Sequence, residues 1–268
     1  MGDNMNVSEL MDKFNIRNWA DYKPNAGHYT RYPPHQIIAG FKIEDVYKQF
    51  SNARASLLYM EENDYGKLIS KGDEKHLAYI RAKFLFDALA NYNYCIDLSW
   101  QFLYLYYGYD DYGMFQDTSR YDKETKQCTK ENLEYRLVGL AKQRKKYDYL
   151  MGFFQTPLSK EVRYAYNYIK HRGTYNIHGL NEEEDDEFPL ELSDNTLKMI
   201  TRETMDLIEW KEKLIRFDMS FYNYFEVLIK HTMPKDFTNT TFNLLKLIKV
   251  SRDFENWCRD NKANTFNS

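Results

Sequence analysis

Between Ile43 and Arg259 the apolar residues return again and again at spacings of three and four, over stretches far too long to be strands. Val46, Phe50, Ala53, Leu57 and Met60 set this spacing for a helix over 43–62. Leu77, Ile80, Phe84, Ala88, Asn91, Cys95, Leu98 and Phe102 set it for a helix over 74–107. Leu133, Leu137, Leu140, Tyr147 and Leu150 continue it over about 130–154. Met199, Met205, Ile208, Leu214, Phe217, Phe221, Tyr224, Phe225 and Leu228 continue it over 195–230. A short helix at 8–14, one at 159–172 and a last one at 243–259 complete the set. Few residues interrupt the pattern. The chain holds 11 Gly and 6 Pro, where average usage would give roughly 19 and 13. Sheets joined by tight turns need more of both. The expected fold is all-α: an antiparallel helical bundle with long loops.

Punctuation refines this reading. Pro24, Pro33, Pro34 and Asn25-Ala26-Gly27 mark residues 1–40 as an irregular N-terminal segment, leaving 41–268 as a single helical domain. Residues 109–129 read as an irregular polar stretch. Thr129 reads as the N-cap of the helix that follows, and Pro157 as the break after it. Tyr175 and Ile177 alternate with polar residues. Phe188 to Leu192 lies beyond the acidic run 182–187. Together these predict one small β-hairpin within 174–192.

The 43% hydrophobic content of 268 residues is enough for a core without disulfides or metal. Cys95, Cys128 and Cys258 are odd in number and widely spaced, so no disulfide framework and no zinc ribbon is expected. A net charge of −3 excludes a chain that coats nucleic acid all over, so any such contact must be a local basic patch. The N-terminus lacks an apolar signal core, and the most apolar run, 95–107, is too short to span a bilayer. The expectation is a cytoplasmic protein with no membrane partner and no cofactor.

The chain carries no GxGxxG, GxxxxGK[ST], HExxH, Glu-x-x-His or GxSxG motif. Its most informative stretch is Arg163-Tyr-Ala-Tyr-Asn-Tyr-Ile-Lys-His-Arg-Gly173. On a helix Arg163, Asn167 and His171 form one slanted stripe at i, i+4 and i+8. Arg forks onto phosphate, His moves a proton near neutral pH, and Asn orients a hydroxyl or a water. Metal-independent RNA cleavage needs these parts. A structural explanation accounts for the same residues. Lys170, His171 and Arg172 stand in the last turn of a helix ended by Gly173, where cations complement the helix dipole. A second basic stretch, Lys142 to Tyr149, reads either as an RNA track or as a wet helix face.

Asn167-Tyr-Ile-Lys-His171-Arg-Gly173, together with Asp97-Leu-Ser-Trp-Gln101, resembles the motif region of HEPN helical domains. More narrowly, it is similar to the small bacterial HEPN group typified by a clostridial hypothetical protein. The resemblance implies a helical bundle, a homodimer, and RNA or nucleotide binding. It also implies metal-independent ribonuclease activity of the toxin–antitoxin or defence type. The family motif is Arg, a polar residue, three more, then His. Here Asn167 and His171 occupy the last two places, and Tyr166 stands where the Arg belongs. Arg163 and Arg172 are the arginines nearest to it. The catalytic candidates are therefore His171, Asn167 and Arg163, with Lys170 and Arg172 as nucleic-acid contacts and no metal ligand. The other reading of the whole chain is a non-catalytic, dimeric interaction or scaffold protein.

Overall fold

A computed structural model describes residues 5–66, 73–108, 112–180, 190–192, 195–197 and 202–265. It is predominantly all-α, with two very small sheets. Twelve α-helices occur among the described residues: α1 (Val7–Lys13), α2 (Arg17–Ala20), α3 (Ala26–Tyr29), α4 (Pro34–Tyr59), α5 (Glu74–Tyr106), α6 (Gly113–Gln116), α7 (Thr118–Lys126), α8 (Lys130–Glu134), α9 (Arg144–Gln155), α10 (Pro157–Arg172), α11 (Leu207–Lys230) and α12 (Leu244–Thr265). The strands are β1 (Asn176–Ile177), β2 (Leu190–Leu192), β3 (Asn195–Leu197) and β4 (Thr204–Met205). No described helix is long and apolar enough to cross a membrane.

The long helices stand close to their sequence-derived ranges, and each departure has a local cause. Residues 5–40 are not irregular but carry α1, α2, α3 and the start of α4. Asn6 caps α1 with a full capping box, Asn25 caps α3, and Pro34 opens α4 instead of interrupting it. Proline is well suited to the first helical turn, where its missing N–H costs nothing. Residues 109–129 carry α6 and α7, and the Asp117 side chain caps α7 through the Ser119 N–H. Thr129 caps α8, as its position predicts, but no single helix runs on to 154. A π-helical turn follows over 135–140, and Lys142 then takes a left-handed conformation (φ 56°) before α9 begins.

The expected hairpin is replaced by two other pairings. Asn176 and Ile177 pair in parallel with Thr204 and Met205, while β2 and β3 form a short antiparallel ladder, Leu190 opposite Leu197. Residues 195–197 are thus strand, and the helix expected over 195–230 starts at Leu207. The acidic run 182–187 and Met199 lie outside the described residues.

The described chain gathers into two compact units. The first comprises residues 1–14, 50–93 and 155–220, and the second 15–49, 94–154 and 221–268. In the first, Leu57, Leu85, Leu89, Val162, Leu214 and Phe217 are buried. At its centre lies a polar cluster. Arg54 donates Nε–H and a terminal N–H to the two oxygens of Asp218 (2.8 and 2.7 Å), and the Tyr92 hydroxyl donates to the same carboxylate (2.7 Å). Arg54 also donates to the Phe14 carbonyl and lies over the Phe50 ring. In the second unit Trp19, Phe102, Phe221, Phe225 and Phe237 are wholly buried. Phe153 stacks on Tyr224 there at 4.2 Å, and the buried Tyr224 hydroxyl meets Ser99.

Candidate functional site

Helix α10 belongs to the first unit and is built to show one face to solvent. Thr156 caps it by accepting from the Ser159 N–H, and Pro157 occupies its first turn. Ser159, Val162, Ala165 and Tyr168 are buried, spaced three apart along the inward ridge. At about 100° per residue, Arg163, Asn167, Lys170 and His171 fall on the side opposite that ridge. Asn167, Lys170 and His171 are exposed, and Arg163 is half-buried. Among the described residues the side chains of Asn167, Lys170 and His171 make no hydrogen bond or ion pair.

Gly173 ends the helix at φ 105°, ψ −164°, a region open almost only to glycine. Its N–H returns no bond to a helix carbonyl, and none of the three basic side chains of the last turn bonds one. Their structural contribution there is confined to the field of the helix dipole, typically about 0.3–1 kcal/mol.

Arg172 goes elsewhere. It lies about 100° round the helix from His171. Its guanidinium sits 5.9 Å from the centroids of both the Tyr164 and Tyr168 rings and donates to the Tyr164 hydroxyl at 3.4 Å. Tyr164 in turn donates to Glu203 (2.5 Å), and Tyr168 accepts from the Glu203 N–H (3.0 Å). The hydrogen bond to Glu203 raises the phenol pKa of Tyr164. Burial, reinforced by Glu203, does the same to Tyr175, which packs on Tyr168. The structure thus puts Arg163, Asn167, Lys170 and His171 on one face and removes Arg172 from it. Residues 164, 168 and 172 announce the aromatic stripe by their spacing of four. Glu203 comes from a distant segment, and nothing in the sequence marks it as their partner.

Tyr166, at the motif position where an Arg belongs, is half-buried. The basic stretch 142–149 is largely occupied by contacts within the second unit. Lys142 holds the Gly139 carbonyl, Arg144 pairs with Asp148, and Lys146 donates to the Tyr107 hydroxyl and the His231 carbonyl. Tyr147 is buried, and Tyr149 stacks on Tyr224. Of its four cations, Lys145 alone is exposed and without a partner among the described residues. None of the five residues singled out on α10 lines the cleft of about 630 Å³ that opens in the first unit. Among the described residues no three His, Cys, Asp or Glu side chains gather as metal ligands would.

The fold and this helix define a predominantly all-α protein with exposed polar side chains displayed at a helix end. No family model matches the chain, and no curated protein or solved structure matches it either.

Proposed function

We propose that this protein binds RNA or a nucleotide through the solvent face of α10, with Asn167, Lys170 and His171 as the contacts. One observation carries this reading: three side chains of types that can bind phosphate or a hydroxyl share a face and have no partner among the described residues. Exposed polar groups at a helix end are common, but here none of them bonds the terminal carbonyls. In the ribonuclease form of the proposal, His171 is the general acid or base and Asn167 orients the 2′-hydroxyl. Arg163, two turns back on the same stripe, supplies the cation in place of the Arg missing at position 166. Eight helical steps of about 1.5 Å separate Arg163 from His171 by about 12 Å, so the two reach different parts of one strand. The HEPN resemblance supplies the same roles for Asn167 and His171, and its Arg position is Tyr166 here.

The test is His171→Ala assayed on single-stranded RNA, with and without a chelator. Folding stability should change by no more than about 1 kcal/mol. If cleavage occurs, its rate should drop by about 10²–10⁴. Lys170→Ala should weaken binding and flatten its salt dependence. Wild-type protein that neither binds nor cleaves RNA sinks the proposal.

A second reading, a non-catalytic interaction protein that pairs with its own copy, draws on a different observation. Phe242, Leu244, Leu245 and Ile248 are all exposed at the start of α12, with Leu245 78% accessible. Exposed apolar clusters of this kind mark contact surfaces. Leu245→Asp should then convert a dimer to a monomer in light scattering, and a wild-type monomer at micromolar concentration would end this reading.

A further inference from the structure

The cleft in the first unit sets an apolar wall against a cation that has no carboxylate counter-charge among the described residues. Met60, Ala78, Leu207 and Ile208 form the wall. Ile208 is 73% exposed, and a large aliphatic side chain in that position gains by being covered. Two cations line the same space. Lys211 is neutralised by Glu61, whose carboxylate lies 2.7 Å from its ammonium.

Arg81 is different. One of its terminal nitrogens donates to the Asn63 side-chain oxygen (2.6 Å) and to the Glu62 carbonyl (3.2 Å). These bonds fix the guanidinium in place, but both acceptors are neutral. No carboxylate among the described residues lies within ion-pair distance of it. Its Nε–H is sealed from solvent without any hydrogen-bond partner. An acidic side chain is close by, yet it is already engaged: Asp206 lines the cleft and accepts from the Glu209 N–H at 2.8 Å, capping α11. The helix N-terminus offsets much of that charge.

A guanidinium held by neutral acceptors beside an uncovered aliphatic wall defines what would complete it. We propose that this cleft binds a small organic anion, in which one carboxylate or phosphate meets Arg81 and a compact apolar body covers Ile208 and Met60. The volume fits, since pockets for such ligands run from about 300 to 1,000 Å³. Arginine suits the task because the terminal nitrogen not held by Asn63 and Glu62 carries two further N–H donors for either oxyanion, and the guanidinium keeps its charge. The proposal uses none of the residues of α10, and stands or falls apart from the RNA reading.

The probes are benzoate and phenyl phosphate, with benzyl alcohol and inorganic phosphate as controls lacking the charge or the apolar body. Binding to the full chain is read by titration calorimetry and saturation-transfer NMR. At least one of the two aromatic anions should bind at least about tenfold more tightly than either control. The better of the two identifies the anionic group. Arg81→Gln should weaken that binding by about 10–100-fold, the worth of a charge-assisted hydrogen bond, with the helical circular dichroism unchanged. Ile208→Asp alters an exposed side chain, so folding is spared, and it should abolish binding of the aromatic anions. The proposal is overturned by any of three results. Neither aromatic anion binds at about 10 mM; inorganic phosphate binds as well as phenyl phosphate; or folded Ile208→Asp retains wild-type affinity. Should Arg81→Gln fail to fold, the Ile208→Asp result decides alone.

Discussion

Asp218 has no solvent exposure, and its carboxylate is met on both oxygens by Arg54 and on one by the Tyr92 hydroxyl. Arg54 is itself 2% exposed. Removing a single partner from such a pair leaves an uncompensated buried charge. Asp218→Ala should therefore cost about 3–5 kcal/mol, read as a lowered denaturant midpoint. The double variant Arg54→Met, Asp218→Leu should be more stable than Asp218→Ala, because no bare charge remains. A double variant less stable than the single would show that the ion pair itself contributes the stability. The contrast with α10 is one of surroundings. Arg54 and Asp218 are satisfied and buried, and so belong to the fold. Asn167, Lys170 and His171 are exposed and without a partner among the described residues, which is why the proposed contact is placed there. The sequence could place the second group on one helix face, because residues 167, 170 and 171 need only helix geometry to share it. It gave no sign of the first, because residues 54, 92 and 218 share no local pattern.

At the level of elements, the long-range apolar spacing was the most legible signal. Val46, Phe50, Ala53, Leu57 and Met60 are all buried, as their periodicity requires. On α5 the buried ridge is centred on Leu85, Leu89, Tyr92, Ile96, Ser99 and Leu103, and Leu77, Ile80 and Phe84 of the predicted face are only partly covered. Tyrosines and a serine line the inward side there, and hydropathy undervalues both. Local chemistry that competes with periodicity was misread more often. Leu140 fits the spacing but is exposed, because the π-helical turn at 135–140 and the left-handed Lys142 rotate it out of register. The start of α11 was set too early because residues 195–197 pair with 190–192, a tertiary choice that periodicity does not record. Gly173 was legible, and its backbone makes a further test. At φ 105° and ψ −164° a Cβ is strained whatever the space, although nothing lies within 4 Å of where it would go. Gly173→Ala should cost about 1–3 kcal/mol in thermal unfolding, from strain alone. A neutral result would mean that α10 ends in a different conformation in solution.

Across the whole molecule the 24 tyrosines make high pH the condition that most tests the fold. Burial pushes the phenol of Tyr107 up to about 12. Burial, with a hydrogen bond to Glu134, does the same for Tyr147. Burial takes the Cys128 thiol to about 12, and it also raises the phenols of Tyr175 and Tyr224. Each of these groups holds its proton more tightly folded than unfolded, where a phenol ionises near pH 10 and a thiol lower still. Below the unfolded values both states are protonated and the full contribution to stability is present. As pH rises from about 10 the unfolded chain loses phenolic protons first, so unfolding becomes progressively easier until the folded groups ionise near 12. The melting temperature should therefore fall steeply between about pH 10 and 12. The near-ultraviolet phenolate signal should rise in two phases, the later one coinciding with loss of helical circular dichroism. Tyr147→Phe loses the bond to Glu134, so it should be less stable at neutral pH, with a shallower decline above pH 10. If every phenol ionised in one phase near pH 10 while the helices persisted, the buried tyrosines would have to be reached by solvent, and the packing of both units would need to be redrawn.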